Sequence, residues 1–191
     1  IQYILKEVVR VSGVEYKDGE AETDVSIRII TDHLRSMTFM IGDGITPGNE
    51  GREYVLRRLI RRAARHGRIL GIEGSFLSKL CGKVIDVSAG AYPELENRRV
   101  MIQKVVSAEE DRFAATIDQG MKIINGYIDE LRQDGKTVLD GRKAFKLHDT
   151  YGFPIDLTRE ILEESGYAVD TEGFESAMAE QKDRSHVEQD M

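Results

Sequence analysis

The twenty residues from Asn49 to Arg68 read NEGREYVLRRLIRRAARHGR, and seven of them are arginine while none is lysine. A guanidinium is a planar fork of N–H donors that matches two oxygens of one phosphate or carboxylate. At about 100° per residue, Arg57, Arg58, Arg61, Arg62, Arg65 and Arg68 share an arc of about 140°, and Leu56, Leu59, Ile60 and Ala63 lie on the other side. Like charges at this spacing repel, so the face calls for anions. Acids on neighbouring helices could supply them. The density, and the exclusive use of arginine, favour a polyanion, with nucleic acid the usual one. A membrane surface fits less well, because the opposite face is small, aliphatic and needed for the core.

The remaining chemistry-bearing residues are sparse. His33, His66, His148 and His186 are scattered, with His33 and His66 read as packing or boundary residues and His148 and His186 as exposed. They make no metal site, and no catalytic constellation is visible. Cys81 is the single cysteine, which excludes an intramolecular disulfide and a multi-cysteine zinc site and gives no reason to expect secretion. Asn49 follows the turn GDGITPG and could cap the arginine helix. Asp149, about 100 residues further on, could be a turn residue before Thr150.

A helical frame must position these groups. The chain has 191 residues, 40% hydrophobic content and 32% charged content, enough for a sizeable core. No apolar run approaches the roughly 20 residues that span a bilayer, and no signal peptide is visible. The opening on Ile1 suggests a piece of something longer. Helical spacing predicts a short first segment closing at VVRV (8–11), and a second helix capped by Thr23 or Asp24 with Ile29, Ile30, Leu34, Met37 and Ile41 inward. The arginine helix should end at Gly71, followed by a buried helix over 75–88. A long stretch from Pro93 to Leu131 should turn Val100, Met101, Val105, Ile117, Met121, Ile124 and Ile128 to the core, with Gly120 or Gly126 kinking or dividing it. After a loop over 132–141 come helices over 144–154, 156–165 (capped by Asp156) and 171–188. The fold class is mostly α: an irregular multi-helix bundle with little or no sheet, with helical subdomains over 1–92 and 93–191. The net charge of -7 conceals segregation, since 156–191 holds eleven acidic residues and three basic.

Two signatures carry a resemblance. IITDHLRSMTFMIGDGITPGNEGREYVLRRLIRRAARHGRILG (29–71) resembles the start of the tRNA-recognition region of bacterial-type alanyl-tRNA synthetases, and FKLHDTYGFPIDLTREIL (145–162) resembles a second signature of that region. The likeness extends more loosely through nearly the whole chain. It implies the middle, helical tRNA-recognition domain of an enzyme that attaches alanine to tRNA using ATP. The partner it implies is the acceptor stem of tRNA(Ala), with its G·U wobble pair. By motif, Asn49 and Asp149 would read that pair. Guanine offers its 2-amino donor in the wide, shallow minor groove of A-form RNA, and the wobble geometry leaves that group free. Arg52, Arg57, Arg58, Arg61, Arg62, Arg65, Arg68 and, less directly, Lys146 would hold backbone phosphates, with Arg52 and Arg57 nearest the Asn49 end.

The catalytic motifs are not in this chain, nor are an HxxxH zinc motif or a dimerising part. The resemblance therefore implies no cofactor here, with ATP and Mg in a separate catalytic domain and Zn in a separate editing domain. It implies those flanking domains as partners, a cytoplasmic setting, a monomeric segment and no charging activity by the segment alone. The competing expectation is a helical protein-interaction or scaffold module docking through its arginines. Two departures stand out: the family usually has glycine at Glu53 and tyrosine at His148.

Overall fold

The computed structural model describes residues 2–191. They form ten helices and two short strands, the mostly α architecture the sequence predicts. The chain divides into two units, Ile1–Ala115 and Thr116–Met191. The expected seam at 92/93 is not where the division falls. Leu95, Ile102 and Val106 belong to the same buried cluster as Ile30 and Leu34, so the segment after Pro93 closes the first core.

In the first unit, α1 (Gln2–Ser12), α2 (Glu22–Gly42), α3 (Gly51–Ile69), α4 (Leu77–Ser88), α5 (Glu94–Asn97) and α6 (Arg99–Ala114) surround one apolar cluster. Helix α2 buries Ile27, Ile30, Leu34, Met37 and Ile41, so Ile27 takes the place expected of the half-buried Ile29. Its N-cap is Ala21 rather than Thr23 or Asp24. Asp24 is buried one turn inside and accepts the N–H groups of Lys17 and Gly19, tying down the preceding loop. Those bonds, Lys17 foremost, hold its carboxyl below the usual carboxylate range.

Helix α6 departs most from the expected pattern. Val100 and Met101 are exposed, while Ile102, Val106 and Phe113 form the buried stripe. Glu109 and Glu110 share that buried face. Buried carboxylates break an apolar periodicity, so the spacing of apolar residues alone points to the wrong face of this helix.

In the second unit, α7 (Ile117–Asp134), α8 (Gly141–Tyr151), α9 (Ile155–Glu164) and α10 (Thr171–Gln189) bury Ile117, Ile124, Leu147, Phe153, Leu157 and Leu162. Strands β1 (Val138–Leu139) and β2 (Ala168–Val169) pair in parallel. The break between α6 and α7 lies at Ala115–Thr116, and Gly120 and Gly126 both sit inside α7. Asp140 caps α8 and Asp170 caps α10, each accepting a first-turn N–H. Helix α9 starts after Pro154, so Asp156 is not its cap. It pairs with Arg159 at 2.9 Å. No helix among the described residues is long and apolar enough to cross a membrane.

Candidate nucleic-acid interface

The turn before α3 sets the geometry of Asn49. The N-cap of α3 is Glu50, not Asn49, and Gly51 follows with φ +59°, a conformation that a side chain makes costly. Asn49 is thereby left exposed just ahead of the helix. Glu53 lies against this turn. A Cβ added to Gly48 would sit 2.6 Å from Glu53 Oε2, and the Gly48 N–H donates to the Glu53 carbonyl at 3.0 Å. Glu53 thus packs on the turn that presents Asn49.

The arginines of α3 are not a uniformly solvated face. Arg61 and Arg65 are buried, with 8% and 6% of their surface exposed, whereas Arg52 and Arg68 are exposed and Arg57, Arg58 and Arg62 are half-buried. Glu109 on α6, 1% exposed, organises part of this face. Its Oε1 accepts from Arg57 Nε at 2.8 Å, from Arg61 Nε at 2.9 Å and from Arg61 Nη2 at 2.8 Å. The Arg61 guanidinium also lies 5.4 Å from the centre of the Phe113 ring. Burial pulls its pKa below the ordinary arginine value, and Glu109 offsets part of that shift. Arg57 Nη1 donates to Asn49 Oδ1 at 2.6 Å. Arg62 donates to His33 Nε2 at 3.1 Å, and the buried His66 bonds Ser26 through Nδ1 at 2.9 Å. Both histidines therefore fasten α2 to α3.

Asp149 belongs to the second unit, in the last turns of α8, where it is exposed. The helix stops just beyond it because Gly152 takes φ +71° and donates to the His148 carbonyl. Asp149 Oδ1 accepts from Gln181 Nε2 on α10 at 3.0 Å. Lys146 is exposed one turn earlier. His148, expected to be exposed, is half-buried, with its ring centre 5.6 Å from that of Phe174 and the planes near perpendicular. The imidazole ring packs there on an aromatic neighbour. His186 is exposed.

Sequence reading missed Glu109 and Gln181, which bond Arg57 and Asp149 directly. The one available signal for Glu109 was a carboxylate at a core register of α6. Cys81 is buried and its thiol is pushed up to about 12, so it offers no thiolate. Among the described residues no group of three or more His, Cys, Asp or Glu is arranged to hold a metal ion.

Fold and site together define a helical protein whose arginine helix ties Arg57 and Arg61 to a buried carboxylate and leaves Arg52 and Arg68 exposed, beside an exposed carboxamide. The model of the family described as tRNA synthetases class II (A) matches residues 1–191, and the chain belongs to that family. It is 51% identical over 189 residues to the alanine–tRNA ligase of Natranaerobius thermophilus, covering 99% of this chain and 21% of that protein. It is 55% identical over 185 residues to the alanine–tRNA ligase of Clostridioides difficile, covering 97% and 21%. To that of Acetivibrio thermocellus it is 56% identical over 180 residues, covering 94% and 20%. The chain spans about a fifth of the length of the curated relatives it matches.

Proposed function

We propose that this chain is the acceptor-stem recognition segment of an alanine–tRNA ligase, reading the G·U pair of tRNA(Ala) through Asn49 and Asp149. One observation carries the reading. At both signature positions a polar side chain is exposed while a side-chain oxygen is held by a neighbour, Arg57 for Asn49 and Gln181 for Asp149. An exposed group with a fixed orientation is suited to reading a base edge. Asp149 can accept from the guanine 2-amino group. Arg52, Arg58, Arg62, Arg68 and Lys146 are exposed or half-buried and suit backbone phosphates. Alanine activation with ATP and Mg, and editing with Zn, fall to parts of the ligase outside this segment, which act with it in the cytoplasm.

A second reading has one observation in its favour: Arg57 and Arg61 already dock on an internal carboxylate. On that reading the helix is a scaffold or protein-interaction element. Titration with acceptor-stem minihelices carrying G·U or G·C separates the two. Losing one base contact should cost about 1–3 kcal/mol. Asn49→Ala and Asp149→Ala should each erase part of the G·U preference. A preference untouched by either change refutes the assignment.

A further inference from the structure

The geometry points to Glu109 and Arg57 as positioning residues for Asn49. A buried carboxylate on α6 fixes a guanidinium on α3, and that guanidinium fixes the Asn49 carboxamide. The inference rests on the reading of Asn49 as a base contact and gives it a polarity.

A free asparagine side chain is ambivalent, able to donate or accept. Here its Oδ1 is taken by Arg57 Nη1 at 2.6 Å. That bond uses one of the two lone pairs of Oδ1 and fixes the plane of the amide, so what Asn49 chiefly offers an incoming base is its pair of N–H donors. Such a donor suits a carbonyl oxygen of uracil and cannot pair with an amino group. Asp149 has the opposite polarity, since an ionised carboxylate only accepts. Asn49 would thus offer a donor and Asp149 an acceptor.

Arg57 can hold the carboxamide because its own orientation is fixed. Its Nε is bound to Glu109 Oε1 at 2.8 Å, which sets the plane of the fork and therefore the direction of Nη1. A lysine ammonium has no such plane and cannot bridge the same two oxygens at fixed angles. Glu109 is immobilised in turn. It is 1% exposed, and the same oxygen takes two N–H groups of Arg61, whose guanidinium is itself buried beside Phe113. The relay runs from the core outward: Phe113 and Arg61, Glu109, Arg57, Asn49. Glu109 touches no RNA on this account.

Two arms test it. The first needs no RNA: side-chain 15N relaxation of Asn49 Nδ2 in the 191-residue chain. The wild type should be ordered, and Arg57→Lys and Glu109→Gln should take its order parameter below about 0.6. Arg57→Lys is the surer variant, because Glu109→Gln disturbs a buried charge; circular dichroism verifies the fold of each. An Asn49 side chain that is mobile in the wild type, or equally ordered in Arg57→Lys, overturns the inference. The second arm compares G·U and G·C minihelices across salt. Arg57→Lys should reduce the G·U preference about tenfold and leave the salt dependence unchanged. Asn49→Asp, which can still accept from Arg57 but has lost its donors, should do the same. A preference that survives Arg57→Lys identifies Arg57 as a simple phosphate contact and overturns the inference. If Asn49 is ordered through Arg57 and yet the wild type binds both stems equally, the positioning stands and base reading by Asn49 falls.

Discussion

Two adjacent carboxylates on α6 have opposite environments. Glu109 meets guanidinium groups, whereas Glu110 accepts the backbone N–H groups of Phe76 and Leu77, both at 3.2 Å, where α4 begins. Burial pushes the Glu110 carboxyl up to about 7, and those two N–H bonds only partly counter it. The folded state therefore binds a proton more tightly than the unfolded chain, whose glutamate titrates near 4.5. Glu110 contributes its stability in the protonated form below pH 4.5, and that contribution is lost as pH rises through 7. The loss is on the order of 2–3 kcal/mol. Glu110→Gln cannot ionise, so urea unfolding between pH 5 and 8 should show a flatter stability profile for the variant than for the wild type. Parallel profiles would mean that Glu110 is ionised throughout, held by α4 and the Arg68 charge.

Helix α7 shows how two glycines of one element differ. Gly120 faces the core: a Cβ there would lie 2.4 Å from Phe153 Cε1. Gly126 is exposed, and a Cβ there would meet nothing within 4 Å. Gly120→Ala must displace a buried ring and should destabilise by about 1–3 kcal/mol. Gly126→Ala should stabilise by about 0.5–1 kcal/mol, because alanine loses less chain entropy in a helix. Thermal unfolding followed by circular dichroism gives both signs, and a stabilising Gly120→Ala would show that Phe153 has room to move. The same helix marks what was legible in the sequence. Helix α3 and its end at Gly71 could be read, because periodicity and glycine are local signals. The role of Gly120 could not, since it depends on Phe153, more than thirty positions away. The inward position expected of Val100 and Met101 fails for a related reason: the core face of α6 is held partly by acids whose partners lie on α3 and at the start of α4.

At the scale of the molecule, the acid that dominates the net charge of -7 is weighted toward 156–191, while α3 is strongly basic. Sequence identified the arginine helix as the electropositive element but could not rank its members. Whether a guanidinium faces phosphate or a buried carboxylate depends on a residue from another helix. Packing ranks them. Arg61 and Arg65 are buried and Arg57 is tied to Glu109 and Asn49, whereas Arg52 and Arg68 on α3 and Lys146 on α8 are exposed and Arg58 and Arg62 are half-buried; on the proposed reading these five reach a backbone. Each neutralised phosphate contributes about 0.9 to the slope of log K against log salt, so five contacts set a ceiling near 4.5 in magnitude, where eight cations would give about 7. Minihelix titrations between about 50 and 200 mM salt should therefore give the lower slope. Arg61→Met should leave it unchanged while lowering stability, since Glu109 loses two of its N–H donors. A slope near 7, or one that falls by about 1 in Arg61→Met, would mean that α3 rearranges on RNA to turn its buried arginines outward.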